Sequence, residues 1–141
     1  MATINATVTI ASDITGGSTS ISKTMVMTKA GTNAGLENTS GLSAKTVQTT
    51  TAFKLFGNAD ATTLKASKVY IRNTGSSATD FFYIGFGEDL AAATIETIGR
   101  LYGSDWMLIP WDAVNASTHD IYAKSSTAES AMTLEFIAFT E

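Results

Sequence analysis

Few side chains in this sequence could carry out chemistry. His119 is the only histidine, there is no cysteine, and Asp120 follows His119 directly. A hydrolytic triad uses such an imidazole as general base for a serine nucleophile, which would be a residue such as Ser104. No nucleophile elbow or oxyanion-loop pattern accompanies the pair, so His119 reads as a polar residue at the start of a strand and no catalytic residue is assigned. Paired carboxylates for glycoside cleavage would have to come from Glu88, Asp89, Asp105, Asp112, Asp120, Glu129 or Glu135. Most fall in loops, where acids keep a surface soluble. Glu135 lies mid-strand between Leu134 and Phe136 and belongs to an outward face, with nothing to bury it and raise its pKa. Without thiolates, only an all-oxygen calcium site stays open. "NADAT" (58–62) and "FGEDL" (86–90) supply oxygens without the EF-hand spacing, so no metal is assigned. "GFGED" follows a strand but completes no G-x-G-x-x-G and opens no helix, so no nucleotide or other cofactor is assigned.

The two tryptophans and the one proline fall together in "GRLYGSDWMLIPWD", residues 99–112. Side chains five positions apart on a strand point to opposite faces, so Trp106 groups with Leu108 and Pro110, and Trp111 with Met107 and Ile109. The two indoles therefore do not share a pocket. One anchors the core and the other meets a second layer or another chain. Trp111, beyond the proline and near the strand's end, is assigned that contact.

The elements that must hold these residues are strands. "TINATVTIA" alternates Ile4, Ala6, Val8 and Ile10 with Asn5, Thr7 and Thr9. "DITGGST" turns through Gly16 and Gly17 into "SISKTMVMTK", where Ile21, Lys23, Met25 and Met27 share a parity. Residues 29–44 hold three glycines and no sustained period, which predicts a flexible loop. "KTVQTTTAFKLF" predicts a third strand. "SKVYIRNTGSSATDFFYIGFG" is a hairpin, "EDLAAAT" is too short for more than one helical turn, "IETIGRLYGSDWMLIPW" is a second hairpin about "YGSD", and "HDIYAKS" and "AMTLEFIAF" complete the run. Eight or nine short strands without an amphipathic helix predict an all-β fold, an antiparallel β-sandwich of jelly-roll type. Residues 1–141 form one domain, with 1–44 an N-terminal hairpin or arm and its loop.

Composition narrows the function classes. Only 16% of residues are charged, against about 25% in average domains, while Ser and Thr make up roughly a quarter. The net charge of −4 is scattered and the basic residues form no run, which argues against nucleic acid as a partner. No segment approaches the ~20 apolar residues of a membrane span, and the N-terminus lacks the pattern of a cleaved signal, so a soluble protein outside the membrane is expected.

In the order "KVYIRNTG", "DFFYIGFG", "IGRLYGSDWMLIPW", "DIYAKSS" and "MTLEFIAF", the C-terminal half resembles small virion structural proteins of tailed bacteriophages, in particular capsid decoration (cement) proteins. The Thr- and Gly-rich N-terminal segment is similar in style to their arms. The resemblance implies a non-enzymatic protein assembled in the bacterial host cytoplasm and displayed on the capsid surface of the virion. Its partners would be the major capsid protein and copies of itself, and its role to stabilise the shell. A tail, connector or fibre component is the alternative, and a carbohydrate-binding module built on Trp106 or Trp111 a further one. "DFFYIGF" and "WMLIPW" are apolar on both faces, so they are covered twice within the fold or reach another chain. The N-terminal strands could pair with a neighbour's sheet edge. Ile4, Val8, Met25, Met27, Phe82 and Trp111 are the candidate subunit or capsid contacts.

Overall fold

Alternation of apolar and hydroxyl side chains runs along the chain, and the backbone follows it into strands. The structure, a computed structural model, describes residues 4–12, 19–61, 65–87, 96–113 and 119–141. They form β1 (Asn5–Ser12), β2 (Thr19–Val26), β3 (Asn38–Thr39), β4 (Ser43–Val47), β5 (Phe53–Phe56), β6 (Ser67–Asn73), β7 (Phe81–Gly87), β8 (Glu96–Tyr102), β9 (Trp106–Trp111), β10 (Asp120–Ser125) and β11 (Met132–Thr140). A 3-10 turn spans Asn58–Asp60. The fold is the expected all-β antiparallel sandwich. The "EDLAAAT" turn and the Gly16–Gly17 turn lie outside the described residues.

The later strands pair in a nested order: β7 with β8, β6 with β9, β5 with β10 and β4 with β11, all antiparallel. β4 to β11 thus form one long two-stranded ribbon. Further pairing of β6 with β11 and of β7 with β10 rolls the ribbon into two sheets. One has the order β4-β11-β6-β9, with β3 beside β4 along the same edge of β11, and the other β5-β10-β7-β8. β1 and β2 pair only with each other, in an eight-pair register from Asn5↔Val26 to Ser12↔Thr19.

Two expectations need correction. The single strand expected over "KTVQTTTAFKLF" is two, β4 and β5, on different sheets. The Thr49 hydroxyl accepts the Thr51 N–H at 3.2 Å, a local turn that competes with strand pairing and makes a corner. The segment 29–44 is not one loop. Lys29 N–H donates to Ala34 O and Leu36 N–H to Met27 O, closing a tight turn through Gly31 at φ +71°, and Asn38–Thr39 then pair with β11.

The core lies between the two sheets. Val69 and Ile71 of β6, Leu134 and Ala138 of β11, Phe82 and Ile84 of β7, and Ile121 and Ala123 of β10 are all fully buried. Phe56 of β5 crosses between the layers, its ring 5.9 Å from Trp111 and 5.5 Å, edge-on, from Phe136. Each fully buried side chain of this size contributes about 1.5–3 kcal/mol. β7 and β8 slip register between Ile84 and Gly85, and a side chain at Gly85 would collide with the Glu96 carbonyl, so only glycine fits there.

Asn73, buried at the end of β6, ties the β8–β9 turn to the core. Its Nδ2 donates to Leu101 O at 3.0 Å and its Oδ1 accepts from Gly75 N–H at 3.0 Å. Its backbone N–H donates to Asp105 O and its carbonyl accepts from Ser104 N–H. Ser104 stands at φ +71° within that turn. Phe56→Ala removes the ring shared by both sheets and is expected to lower unfolding free energy by about 3–5 kcal/mol in urea titrations followed by circular dichroism.

Candidate functional site

The sequence offered His119 with Ser104 as the one catalytic pairing, and the structure keeps them apart. Ser104 sits in the turn before β9. His119 sits beside that strand's far end, where its carbonyl accepts the Trp111 Nε1–H at 2.8 Å. Six residues of strand separate the two positions by about 20 Å. The imidazole Nδ1 lies 3.0 Å from the Asp112 carbonyl and 3.9 Å from its carboxylate. No group of three or more His, Cys, Asp or Glu residues that could hold a metal ion occurs among the described residues. Asp60 of "NADAT" accepts the Gly57 N–H at 2.7 Å. Glu88 and Asp89 lie outside the described residues.

Trp111 is buried, 3% exposed, and Trp106 is 48% exposed. The indoles do occupy opposite faces, but their roles are the reverse of the sequence assignment. Pro110 does not disturb the period: Met107, Ile109 and Trp111 all face the core, and Trp106 and Leu108 face out. The outward face of the β4-β11-β6-β9 sheet is therefore apolar at its centre as well, between Lys68 on one side and Arg72 and Glu135 on the other. Tyr70 pairs across to Leu108 on one side and Ile137 on the other. The Trp106 and Tyr70 rings lie 6.2 Å apart with a 34° tilt. With Phe139 and the exposed Leu42, these side chains form one wall of a groove of about 440 Å³. The other wall is the β1–β2 hairpin, through Ala6, Val8 and Met27. At one end of the groove, Glu135, Arg72 and Trp106 occupy neighbouring strand positions in a single row, with the Arg72 guanidinium 4.0 Å from the Glu135 carboxylate.

The hairpin has two unlike faces. Thr7–Thr24 and Thr9–Ser22 hydroxyl pairs, at 2.7 and 3.2 Å, line one. Ala6↔Met25, Val8↔Lys23 and Ile10↔Ile21 line the other. The groove lining stops at Val8, leaving Ile10 52%, Ile21 46% and Met25 43% exposed. At the hairpin's base Met27 and Leu36 are buried together outside the main core. Lys29 pairs with Glu37 at 2.8 Å. Glu141 fastens this base to the sandwich: its Oε2 accepts from Ala30 N–H at 3.1 Å and Ala66 N–H at 3.4 Å, and its Oε1 pairs with Lys65 at 3.1 Å. The Lys65 hydrogen bond, with help from the two amides, holds the Glu141 side chain below the usual carboxylate range against a smaller desolvation effect.

Of the candidate contacts, Trp111, Phe82 and Met27 are buried inside this chain, Ile4 and Val8 are half-buried beside the groove, and Met25 is exposed on the hairpin. The outward side of β7 carries Phe81 and Tyr83, which stack with each other and lie under Arg100, at 4.9 and 5.4 Å from its guanidinium. Sequence reasoning missed Tyr70, Leu108, Ile137, Phe139 and Leu42 as a group. The available signal was that both parities of "EFIAF" and "WML" are apolar, and that Tyr70 shares a parity with Lys68 and Arg72. Comparison with protein families, with curated proteins and with solved structures finds no match.

Two outcomes follow from this geometry. In Trp111→Phe the remaining indole, Trp106, should emit at longer wavelength and be readily quenched by acrylamide, whereas in Trp106→Phe the remaining Trp111 should emit blue-shifted and resist quenching. Because the folded-state pKa of Glu141 is depressed, its tie is present at and above the ordinary carboxylate range and is lost as pH falls through the lower folded value. The Ala30 and Ala66 amide resonances should shift together with a midpoint below 4.5. That transition should vanish in Glu141→Gln.

Proposed function

We propose that this chain is a non-enzymatic structural protein of a virion, a capsid decoration protein that sits on the outside of a major capsid lattice and stabilises the shell. The observation that carries the reading is the β1–β2 hairpin. The two sheets already form a complete sandwich, yet a separate two-stranded sheet stands on it with Ile10, Ile21 and Met25 exposed on one face. An isolated two-stranded hairpin is marginal in water, and a row of exposed apolar side chains is costly unless another surface covers it. Such an element suits a protein whose working state is an assembly.

The nested pairing of β4 through β11 supports the jelly-roll assignment, since an eight-stranded ribbon rolled into two four-stranded sheets is that architecture, and it is one shared by viral capsid domains and lectins. The resemblance of the C-terminal strands to phage decoration proteins points to the former. The exposed Trp106 beside Arg72 and Glu135 favours a second reading, a carbohydrate platform, because an aromatic face with polar neighbours is how proteins hold sugar rings.

Electron microscopy of particles carrying the protein separates these readings. Regular added density over capsid subunit junctions, in many copies, is the expected result. Density confined to a tail or one vertex would make it a tail or connector component instead. Glycan-array binding abolished by Trp106→Ala, without particle density, would establish the carbohydrate reading.

A further inference from the structure

The hairpin's exposed face needs a partner, and the molecule contains a surface that already fits it. Ala6 and Val8, at the near end of the hairpin's apolar face, line the groove opposite Tyr70, Trp106 and Leu108. Ile10 and Ile21 continue the same face beyond that lining and Met25 stands exposed across from Ala6 at its near end, while the groove keeps about 440 Å³ open, and Trp106 and Leu42 stay 48% and 64% exposed at its rim. One chain thus presents both halves of a contact, each incompletely used. We propose that the occupant of the groove is a second copy of this chain, with Ile10, Ile21 and Met25 of one copy's hairpin packed against Leu42, Tyr70 and Trp106 of the other, reciprocally. The inference rests on the reading of the hairpin as an assembly element and names its partner.

Charge supports the same pairing. The apolar hairpin face carries one ionic group, Lys23, directly across from Val8. The groove end carries Glu135, whose one ion pair among the described residues, with the Arg72 guanidinium, is 4.0 Å long, at the limit of such a contact. A second copy's hairpin brings its lysine toward that carboxylate, and no acid among the described residues of β1 and β2 opposes it. The hydroxyl face, with Thr7–Thr24 and Thr9–Ser22 already paired, remains on the solvent side.

The size of the contact sets its strength. The exposed half of the hairpin, four residues on each of two strands, spans roughly 13 by 10 Å, so four such surfaces in a reciprocal pair bury roughly 500 Å². That is about half of what a specific free-standing dimer needs, so association in solution is weak and concentration-dependent. Held on a lattice, neighbouring copies meet at high effective concentration and the same contact becomes cumulative.

The chain has no native cysteine, which permits a direct test in the isolated protein. Full-length Ile21→Cys and Leu42→Cys proteins are mixed at high concentration and oxidised, with Ile21→Cys and Thr79→Cys as the control pair. The expected result is a mixed Ile21–Leu42 disulfide dimer formed in several-fold excess over the control pair, and its loss when Met25→Glu is added to the hairpin variant. Sedimentation velocity of the unmodified protein should show a mass rising with concentration, and Met25→Glu or Leu42→Glu should weaken that association about tenfold or more. Both substituted side chains are exposed, and unchanged circular dichroism and melting would show that the variants fold. Cross-linking no better than the control, or association that survives Met25→Glu, overturns the proposal. Because no particle is present, such a failure leaves the decoration reading to be decided by microscopy alone.

Discussion

The packing of Trp111 against Phe56 governs the rest of the molecule. Phe56 stands on one sheet, and Trp111 and Phe136 on the other, with ring centroids within 6 Å, so the three aromatics clamp the layers together. The Trp111 Nε1–H is satisfied by the His119 carbonyl at 2.8 Å, which allows the indole to be buried without an orphaned donor. Once that ring is inside, the period of a strand leaves no freedom: Met107 and Ile109 follow it into the core, and Leu108 and Trp106 must face outward. β6 and β11 impose the same division, with Val69, Ile71, Leu134 and Ala138 inside and Tyr70, Ile137 and Phe139 outside. An apolar outer face is thus the cost of apolar residues at both parities. The hairpin and its groove exist because that face has to be met by something.

Two buried polar residues fix where the ribbon bends. Asn73 makes four hydrogen bonds, three of them to β8 and the β8–β9 turn, and Asp120 holds the 57–60 turn through Asn58 N–H at 2.8 Å and the Lys54 ammonium at 2.9 Å. The hydrogen bond that Lys54 donates to Asp120 raises the Lys54 pKa above its ordinary value, so the lysine is charged at neutral pH. Such groups add little net stability when satisfied but are costly when left unpaired, so they select one bend over the alternatives. A rolled ribbon needs that selection, because alternation alone does not say where a strand leaves one sheet for the other.

That same limit explains what was legible in the sequence. The alternation in "TINATVTIA" and "KVYIR" identified half-buried strands, and the parity of Trp106 and Trp111 placed them on opposite faces. Which face was the inner one depended on Phe56, more than fifty residues away, and no local pattern connects the two. The division of "KTVQTTTAFKLF" between sheets turned on one hydroxyl-to-amide bond at Thr49, which looks the same in sequence as any other Thr in a Thr-rich strand. Asp120 looked like a surface acid at the start of a strand and is fully buried, because its partners, Lys54 and Asn58, come from the other side of the ribbon. The groove was invisible for the same reason. Its walls come from β1, β6, β9 and β11, and their meeting is a property of the pairing rather than of any segment.

On the proposed reading, the hairpin's asymmetry separates solubility from assembly. Across β1 and β2, Thr7 meets Thr24 and Thr9 meets Ser22 on one side while Ala6 meets Met25 and Ile10 meets Ile21 on the other, so hydroxyl and apolar side chains occupy largely opposite sides of one thin sheet. A hydroxyl ladder keeps water on its side without adding charge, which suits the proposed packing of copies without long-range repulsion. The apolar side is short, broken once by Lys23, and only half covered. A longer or uninterrupted apolar face would promote indiscriminate aggregation, since both edges of a two-stranded sheet are open. A shorter one would not reach past the groove rim. The single lysine therefore sets a compromise: it limits what the face will accept to a surface that is apolar and carries a carboxylate at the right end. The row containing Trp106 and Glu135 is a surface of that kind on the same chain.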